Sequence, residues 1–372
     1  MEILISFIIP FIILLTIVVF IHEYGHYYFA KKYGVGVTDF SIGFGKEIFG
    51  FNDKSGTRWK FCAIPLGGYV KFFGDRNVFS QAEQEELLKE YNEEDRKKLF
   101  VVKPLYQRSL IVAAGPFANF LLAIVIFAFI YMFAGKDFTP AQIQEVQSES
   151  PAYVAGIKSG DVIQSINGRE VKSIMEVSTF INASSSETID IEVLRNGNEL
   201  TLQVKPKFIE GKDSLGNQIN KKIIGIKVAP LNEEINRQRL GPATALLYAV
   251  KETWFVIEAS WEFIISMFKG TGDTSQLGGP IKIAKITGQV AKFGVVAFLS
   301  IMAYISISLG FINLLPIPML DGGHLMFYAF EKILGRPLTQ RTQEGFFRIG
   351  LFLLLSLMFF TTFNDLKDLG LF

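Results

Sequence analysis

The sequence has few of the residues that bind metals or form disulfides. Its single cysteine, Cys62, excludes a disulfide within the chain and any cysteine-based zinc site built by one copy. The formal net charge of +1 excludes a general basic field, so the composition gives no argument for a nucleic-acid partner. Only three histidines are present, and two of them, His22 and His26, fall in one five-residue window. Histidine-based metal chemistry is therefore expected to centre on that window.

Long apolar runs are what the sequence has in abundance. Hydrophobic residues make up 49% of the chain and charged residues 20%, which indicates a protein that lies partly in a bilayer and partly in water. A membrane-spanning helix needs about 20 mainly apolar residues. Four segments are predicted to span the membrane on this basis, namely residues 1–30, 110–134, 294–324 and 346–363. A fifth helix, Ala243–Phe268, carries several charges, so we expect it to lie at the membrane surface within an amphipathic segment, residues 232–293.

A cleaved signal peptide is the alternative interpretation of the first apolar run, Ile3–Ile21. It is disfavoured because no basic residue precedes the run and no small-residue cleavage site follows it. Lys and Arg are concentrated in the loop 31–109 and in the short connection before the last span. The positive-inside rule therefore predicts that both of these loops are cytoplasmic and that both termini are external.

Two regions have the pattern of β-structure. Residues 137–228 are predicted to form a small β-rich external domain, because they include the alternating stretch TIDIEVLRNGNELTLQVKP with an Asn-Gly hairpin signal. The loop 31–109 has strand character at Arg58–Phe73. The predicted fold class is an α-helical polytopic membrane protein of four transmembrane helices, with an inserted β-rich domain and a cytoplasmic, membrane-associated β segment.

The stretch FIHEYGHYYF places His22, Glu23 and His26 at the end of the first apolar run. Residues four apart on an α-helix are separated by about 40° around its axis, so both imidazoles can reach one ion. Glu23 lies on the adjacent flank, which gives the H-E-x-x-H arrangement of zinc hydrolases with a glutamate as general base. Two chance surface histidines are the plain alternative, but ionisable residues within a membrane span are costly and usually functional. Haem binding or a proton relay stays open at this point.

A hydrolytic zinc site needs a third protein ligand and one open position. The favoured candidate is Asp321 in NLLPIPMLDGGH, where Pro316 and Pro318 break the helix at membrane depth. Such a break is tolerated where it is buried in protein or lines a cavity. His324 is the rival, either as a ligand or as a hydrogen-bond partner outside the ligand set. A plain loop between two spans is the alternative interpretation of the stretch.

Six stretches together resemble the site-2 protease family of intramembrane zinc metalloproteases, and within it the branch of the bacterial regulator of sigma-E protease. They are FIHEYGHYYFAKKYGV, SIGFG, IPLGGYVKFFGD, AAGPFANFLLA, LGGPIKIA and GFINLLPIPMLDGGH. They occur in the family's order along nearly the whole chain. Residues 137–228 also resemble a PDZ domain. The chain has room for only one such domain, whereas the best-known members of that branch have two in tandem.

The resemblance implies one Zn²⁺ per chain and roles for seven residues. These are the metal ligands His22, His26 and Asp321, the catalytic Glu23, and the substrate-binding Asn313, Pro316 and Pro318. It further implies single-span membrane proteins as substrates, of the anti-sigma factor or remnant signal peptide type, after an upstream site-1 protease has trimmed them. The implied location is the bacterial inner membrane, with periplasmic termini and the active site near the cytoplasmic side.

The predicted function is therefore an intramembrane zinc metalloendopeptidase that acts in regulated intramembrane proteolysis. A zinc transporter or metal sensor is one alternative, but it would need several ligand clusters spread over the spans, and the sequence has one. A catalytically inactive PDZ scaffold is the other alternative. It is disfavoured because every element of the predicted site is present.

Overall fold

The structure, a computed structural model, falls into two units of chain. It describes residues 4–75, 90–184, 186–212, 218–231, 235–269 and 277–368. The first unit comprises Met1–Ile126 and Gly279–Phe363, and the second comprises Phe127–Gly278 with Asn364–Phe372. Parts of the predicted loop 31–109, of the domain 137–228 and of the segment 232–293 thus lie outside the described residues.

The described residues contain ten α-helices and twelve strands. In chain order the helices are α1 (Ile9–Lys32), α2 (Glu93–Arg96), α3 (Leu105–Phe133), α4 (Pro151–Val154), α5 (Ile174–Ala183), α6 (Pro242–Phe268), α7 (Pro280–Ala291), α8 (Val295–Leu314), α9 (Asp321–Leu334) and α10 (Gln340–Asp368). The strands are β1 (Val37–Asn52), β2 (Arg58–Phe72), β3 (Lys136–Asp137), β4 (Ala141–Val146), β5 (Val162–Ile166), β6 (Arg169–Glu170), β7 (Ile189–Arg195), β8 (Asn198–Val204), β9 (Lys207–Lys212), β10 (Gln218–Ile223), β11 (Ile226–Pro230) and β12 (Arg237–Gln238).

Four helices within the described residues are long and apolar enough to cross a membrane. They are α1 with the turn before it, α3, α8 and α10. The prediction of four membrane-length helices is therefore confirmed. The third helix ends at Leu314, and the Asp-Gly residues begin a separate helix, α9, after a six-residue break. The fourth begins at Gln340 and ends at Asp368, so it is longer than the predicted apolar core 346–363.

The first helix has one exposed and one buried face. Its exposed face carries Ile9, Ile13 and Ile17, spaced by four residues, which suits contact with lipid. Its buried face carries Leu14 and Val18 at the same spacing. His22 continues this buried series by one turn, so the packing of α1 turns the histidine motif toward the protein interior.

The strands β1 and β2 form a strongly curled antiparallel sheet beside α1. Phe40 lies opposite both Trp59 and Val70, so the first half of β1 is sandwiched between the two halves of β2. The second half of β1 covers the other side of the first half of β2 and forms one edge of the sheet. The second half of β2, residues 67–72, forms the other edge. The sequence predicted the strand at Arg58–Phe73 but not its partner β1.

The second unit contains a β-rich domain, residues 141–230. Its main sheet has the strand order β11-β4-β5-β7-β8, with β6 paired to β5. The hairpin β7–β8 turns at Asn196 and Gly197, whose φ angles are 51° and 82°, as the Asn-Gly pair predicts. Within the same unit, the guanidinium of Arg169 on β6 lies 3.0 Å from Glu262 and 3.1 Å from Glu258 on α6. These two ion pairs connect α6 with the β-rich domain.

Candidate metal centre

Three side chains from two distant parts of the chain converge in the first unit. The Nε2 atoms of His22 and His26 are 3.3 Å apart, and they lie 3.2 Å and 3.5 Å from Oδ2 of Asp321. A metal ion with tetrahedral ligands at about 2.0–2.1 Å requires donor atoms roughly 3.3 Å apart. The three donor atoms therefore have the spacing that such an ion needs. Within the described residues, this is the group of His, Cys, Asp and Glu side chains that could hold a metal ion.

The loop between α8 and α9 places Asp321 at the first position of α9. The loop folds back so tightly that a Cβ on Gly322 would lie 2.2 Å from the carbonyl oxygen of Leu315. A Cβ on Gly323 would lie 2.4 Å from the carbonyl oxygen of Ile317. Met319 adopts a φ of 88°, which is an uncommon conformation for a non-glycine residue. The two glycines are thus what allows the helix carrying Asp321 to start against its own connecting loop.

The second membrane-length helix, α3, packs behind both histidines. The Nδ1 atom of His26 lies 2.9 Å from the carbonyl oxygen of Ile111. The Nδ1 atom of His22 lies 3.3 Å from Nδ2 of Asn119, a fully buried residue. Between them is Gly115, where a Cβ would lie 2.3 Å from Nε2 of His26. In the sequence this stretch, AAGPFANFLLA, contributes to the family resemblance, but no local pattern predicts a role for Gly115 or Asn119.

The packing of α3 on α1 is close enough to require a second glycine. A Cβ on Gly25 would lie 2.4 Å from the carbonyl oxygen of Ala114. Farther along α3, Arg108 forms a two-pronged ion pair with Glu331 of α9, with nitrogen–oxygen distances of 3.1 Å and 2.5 Å. Arg108 also lies over the ring of Tyr328. The helix that begins with Asp321 is therefore tied to the helix that backs the histidines.

The carboxylate of Glu23 lies at the edge of the β1–β2 sheet. The backbone N–H of Val70 faces this carboxylate. The Cγ atom of Glu23 is also 3.2 Å from the position that a Cβ on Gly68 would take. The second half of β2 thus presents a backbone donor toward the site.

The remaining predicted residues lie on or near the same loop. Asn313 is in the last turn of α8 and is half-buried, Pro316 is exposed, and Pro318 is buried. The carbonyl oxygen of Pro318 would be 2.1 Å from a Cβ on Gly350, so α10 packs directly on this proline. His324 is one turn beyond Asp321, and its ring packs on that of Phe347, with centroids 5.6 Å apart.

Comparison with known families identifies the chain. The model of Peptidase family M50 matches residues 10–357, and the chain belongs to this family. This confirms the family and the peptidase class that the sequence predicted. It also agrees with the four membrane-length helices, because the match extends from the first of them to the last.

Relatives of nearly equal length are found in several bacteria. A protein of Mesorhizobium japonicum is 43% identical over 96% of this chain and 98% of its own length. One of Agrobacterium fabrum is 42% identical over 98% of this chain and 96% of its own length. The names of both propose that they are zinc metalloproteases. Metalloprotease MmpA of Caulobacter vibrioides is 36% identical over 96% of this chain and 94% of its own length.

A shorter likeness exists among solved structures. The PDZ domain of an SdrC-like protein from Listeria monocytogenes matches 24% of this chain and 88% of its own, with 22% identity and a TM-score of 0.20.

Proposed function

We propose that this protein is a zinc metalloendopeptidase that cleaves single-span membrane proteins in or near their transmembrane segment. One observation carries the proposal. The donor atoms of His22, His26 and Asp321 have tetrahedral spacing at the inner face of an apolar helix that also carries Glu23. The names of the relatives support zinc as the metal.

The proposed roles follow from the chemistry of each side chain. His22, His26 and Asp321 would hold the zinc ion, which would supply Lewis acidity toward water and a peptide carbonyl. Two neutral imidazoles and one carboxylate would leave a single net positive charge on the bound ion, which would keep it electrophilic. Glu23 takes the proton from the attacking water and later donates it to the leaving amine. The peptide bond then separates into a carboxylate and an amine.

We propose that the substrate binds as an extended strand rather than as a helix. A helix keeps its amides in internal hydrogen bonds, so a peptidase has to open it first. The second half of β2 forms an edge of its sheet, and its Val70 N–H points to Glu23. A substrate strand that pairs with this edge would pass beside the catalytic carboxylate. Asn313, Pro316 and Pro318 border the opposite, Asp321 side of the site in this proposal.

The setting of the reaction is proposed from the sequence and the resemblance. The distribution of Lys and Arg supports a cytoplasmic loop 31–109, periplasmic termini and an active site near the cytoplasmic side of a bacterial inner membrane. The β-rich domain would then be a periplasmic PDZ-type domain. Substrates of the anti-sigma factor or remnant signal peptide type, already trimmed by an upstream site-1 protease, suit this arrangement. Together these features describe regulated intramembrane proteolysis.

The test uses the purified full chain in detergent, in wild-type form and as Glu23→Gln. Both proteins are expected to retain one zinc ion per chain, because Glu23 is not a proposed ligand and glutamine has nearly the size of glutamate. Cleavage of a single-span substrate should fall at least about 10²–10⁴-fold in the variant, since the amide accepts no proton from water. Glu344→Gln, an exposed change on α10, is the matched control and should cleave normally.

Two forms of the substrate test the extended conformation in the same assay. One carries helix-breaking residues in its span, and the other carries a run of leucines. The first should be cleaved faster. If the purified wild-type protein contains no zinc, the proposed metal centre is refuted. If Glu23→Gln retains near-normal turnover, Glu23 has no role in the mechanism. Equal rates for both substrates would contradict strand binding.

A further inference from the structure

Asn119 is a buried polar residue in an otherwise apolar part of α3. Its Nδ2 atom lies 3.3 Å from Nδ1 of His22. Its Oδ1 atom is buried and has no hydrogen-bond partner among the residues that the structure describes. Its backbone carbonyl accepts a hydrogen bond of 2.9 Å from the hydroxyl of Ser306 on α8, which fixes this turn of α3 between two helices. The side-chain amide therefore has a defined position and one unused acceptor.

The ring of His22 presents its two nitrogens to different partners. Nε2 faces Asp321 and His26, so Nδ1 faces Asn119. A neutral imidazole carries one N–H, and the nitrogen that binds a metal must be the bare one. With Nε2 on the metal, Nδ1 carries the hydrogen and needs an acceptor. The amide nitrogen of Asn119 is a donor only, so the amide oxygen has to take that place.

Rotation of the amide by 180° brings this about. It exchanges the positions of Oδ1 and Nδ2, which are assigned from their hydrogen bonds and not from their shape. Oδ1 then occupies the position 3.3 Å from Nδ1 of His22 and accepts its hydrogen. His26 shows the corresponding contact, because its Nδ1 lies 2.9 Å from the carbonyl oxygen of Ile111. Both ring hydrogens would then point at oxygen atoms of one helix, α3.

We propose that Asn119 is a positioning residue that holds the His22 ring with hydrogen on Nδ1 and Nε2 free for the metal. The inference rests on the proposed function, since it takes Nε2 of His22 as a metal-binding atom. An amide suits the position better than a carboxylate in one respect. Without metal, Nε2–H can donate to Asp321, and bare Nδ1 then accepts from Nδ2. With metal, the turned amide offers Oδ1. The same side chain thus serves both forms without burying a charge.

Two substitutions separate the acceptor from the donor. Asn119→Leu keeps the approximate shape and removes both, whereas Asn119→Asp keeps an oxygen acceptor and removes the donor. Zinc affinity is measured by competition with a chelator. Loss of a partner behind a metal-binding histidine typically weakens metal binding about 10–100-fold, and this loss is expected for Asn119→Leu. Asn119→Asp should bind zinc at least as tightly as the wild-type protein.

A spectroscopic measurement tests the hydrogen position directly and needs no variant. Nitrogen-15 NMR of histidine-labelled, zinc-loaded wild-type protein should show His22 with hydrogen on Nδ1 and metal on Nε2. The Asn119→Leu protein should show a changed His22 signal. The signal of His26 is the internal reference, because its partner is the Ile111 backbone carbonyl, which the substitution leaves in place.

Each outcome decides the matter. Wild-type zinc affinity in Asn119→Leu, or metal on Nδ1 of His22 in the spectrum, would overturn the inference. Equal weakening in the leucine and aspartate variants would show that the donor matters, which also overturns it. His22→Ala distinguishes this from failure of the proposed function. If that variant keeps its zinc, the ligand assignment itself is wrong. If it loses zinc while Asn119→Leu does not, only the role of Asn119 fails.

Discussion

Gly115 offers the sharpest test of how α3 supports the metal centre. A Cβ at this position would lie 2.3 Å from Nε2 of His26 and 3.0 Å from Cε1 of His22. Real Cβ contacts below 3.0 Å are essentially never seen, so the His26 ring would have to retreat by at least about 0.7 Å. Metal–ligand distances are satisfied only within about 0.2 Å. Alanine at position 115 would therefore separate the donor atoms beyond what one ion can bridge.

The expected size of the effect follows from this displacement. A misplacement of about 1 Å at a reacting centre costs on the order of 100-fold. We expect Gly115→Ala to weaken zinc binding and to slow peptide cleavage by about that factor or more, which corresponds to ~2.7 kcal/mol. Overpacking of this kind also costs about 1–3 kcal/mol of folding stability. Chelator competition, cleavage rate and thermal unfolding in detergent measure the three effects separately.

Gly345 is the matched control for this substitution. It lies in α10, and a Cβ there would meet no atom within 4 Å. Because glycine in a helix is up to about 1 kcal/mol less favourable than alanine, Gly345→Ala should leave zinc binding unchanged and stabilise the protein slightly. Gly115→Ala protein with wild-type zinc affinity and turnover would refute the packing argument, since the clash would then be relieved without moving either histidine.

Two further predictions concern the ligand set and the response to pH. Asp321→Ala should lower zinc occupancy more than His324→Ala does, because Oδ2 of Asp321 lies among the donor atoms while the ring of His324 packs on Phe347. Metal analysis of the two purified variants measures the difference. Equal loss of zinc, or a greater loss in the histidine variant, would reverse the assignment. Burial raises the pKa of Asp75 to about 6, so the folded protein binds the proton of this carboxyl more strongly than the unfolded chain does. The contribution of Asp75 to folding stability should therefore fall as pH rises from about 4 to about 6. Asp75→Asn can still accept a hydrogen bond from the N–H of Phe72, so it should remove this pH dependence and raise folding stability by up to ~3 kcal/mol at pH 8. A variant whose thermal unfolding shows the same pH profile as the wild-type protein would contradict the assignment.

The sequence predicted the parts of the centre that follow from helical periodicity. The spacing of His22 and His26 is enough to put both rings on one face of a helix, and the two prolines before Asp321 are enough to end another. The four membrane-length helices follow from length and hydropathy alone, and they are confirmed. The role of each predicted ligand stays a prediction until the substitutions are made.

The supporting residues could not be predicted, for a physical reason. Gly115 has no side chain whose chemistry could indicate a site, and its importance comes from the space it leaves for His26. Asn119 acts through a hydrogen bond to a residue that is distant in sequence. Neither effect has a local pattern, because both arise where one helix packs on another. The strand β1 was not predicted for a related reason. Its glycines and bulges interrupt the alternating pattern of a strand, and only its pairing with β2 defines it as one.

The order in which the chain is made has a consequence for the centre. His22 and His26 come early in the sequence, Asp321 comes late, and the whole β-rich domain is encoded between them. At a synthesis rate of about 5–20 residues per second, roughly 15–60 s separate the first donors from the last. During that interval the growing chain contains two histidines and a glutamate but no third ligand. On the proposed assignment the peptidase is inert while it is being synthesised, and it gains its metal only when α9 folds against α3.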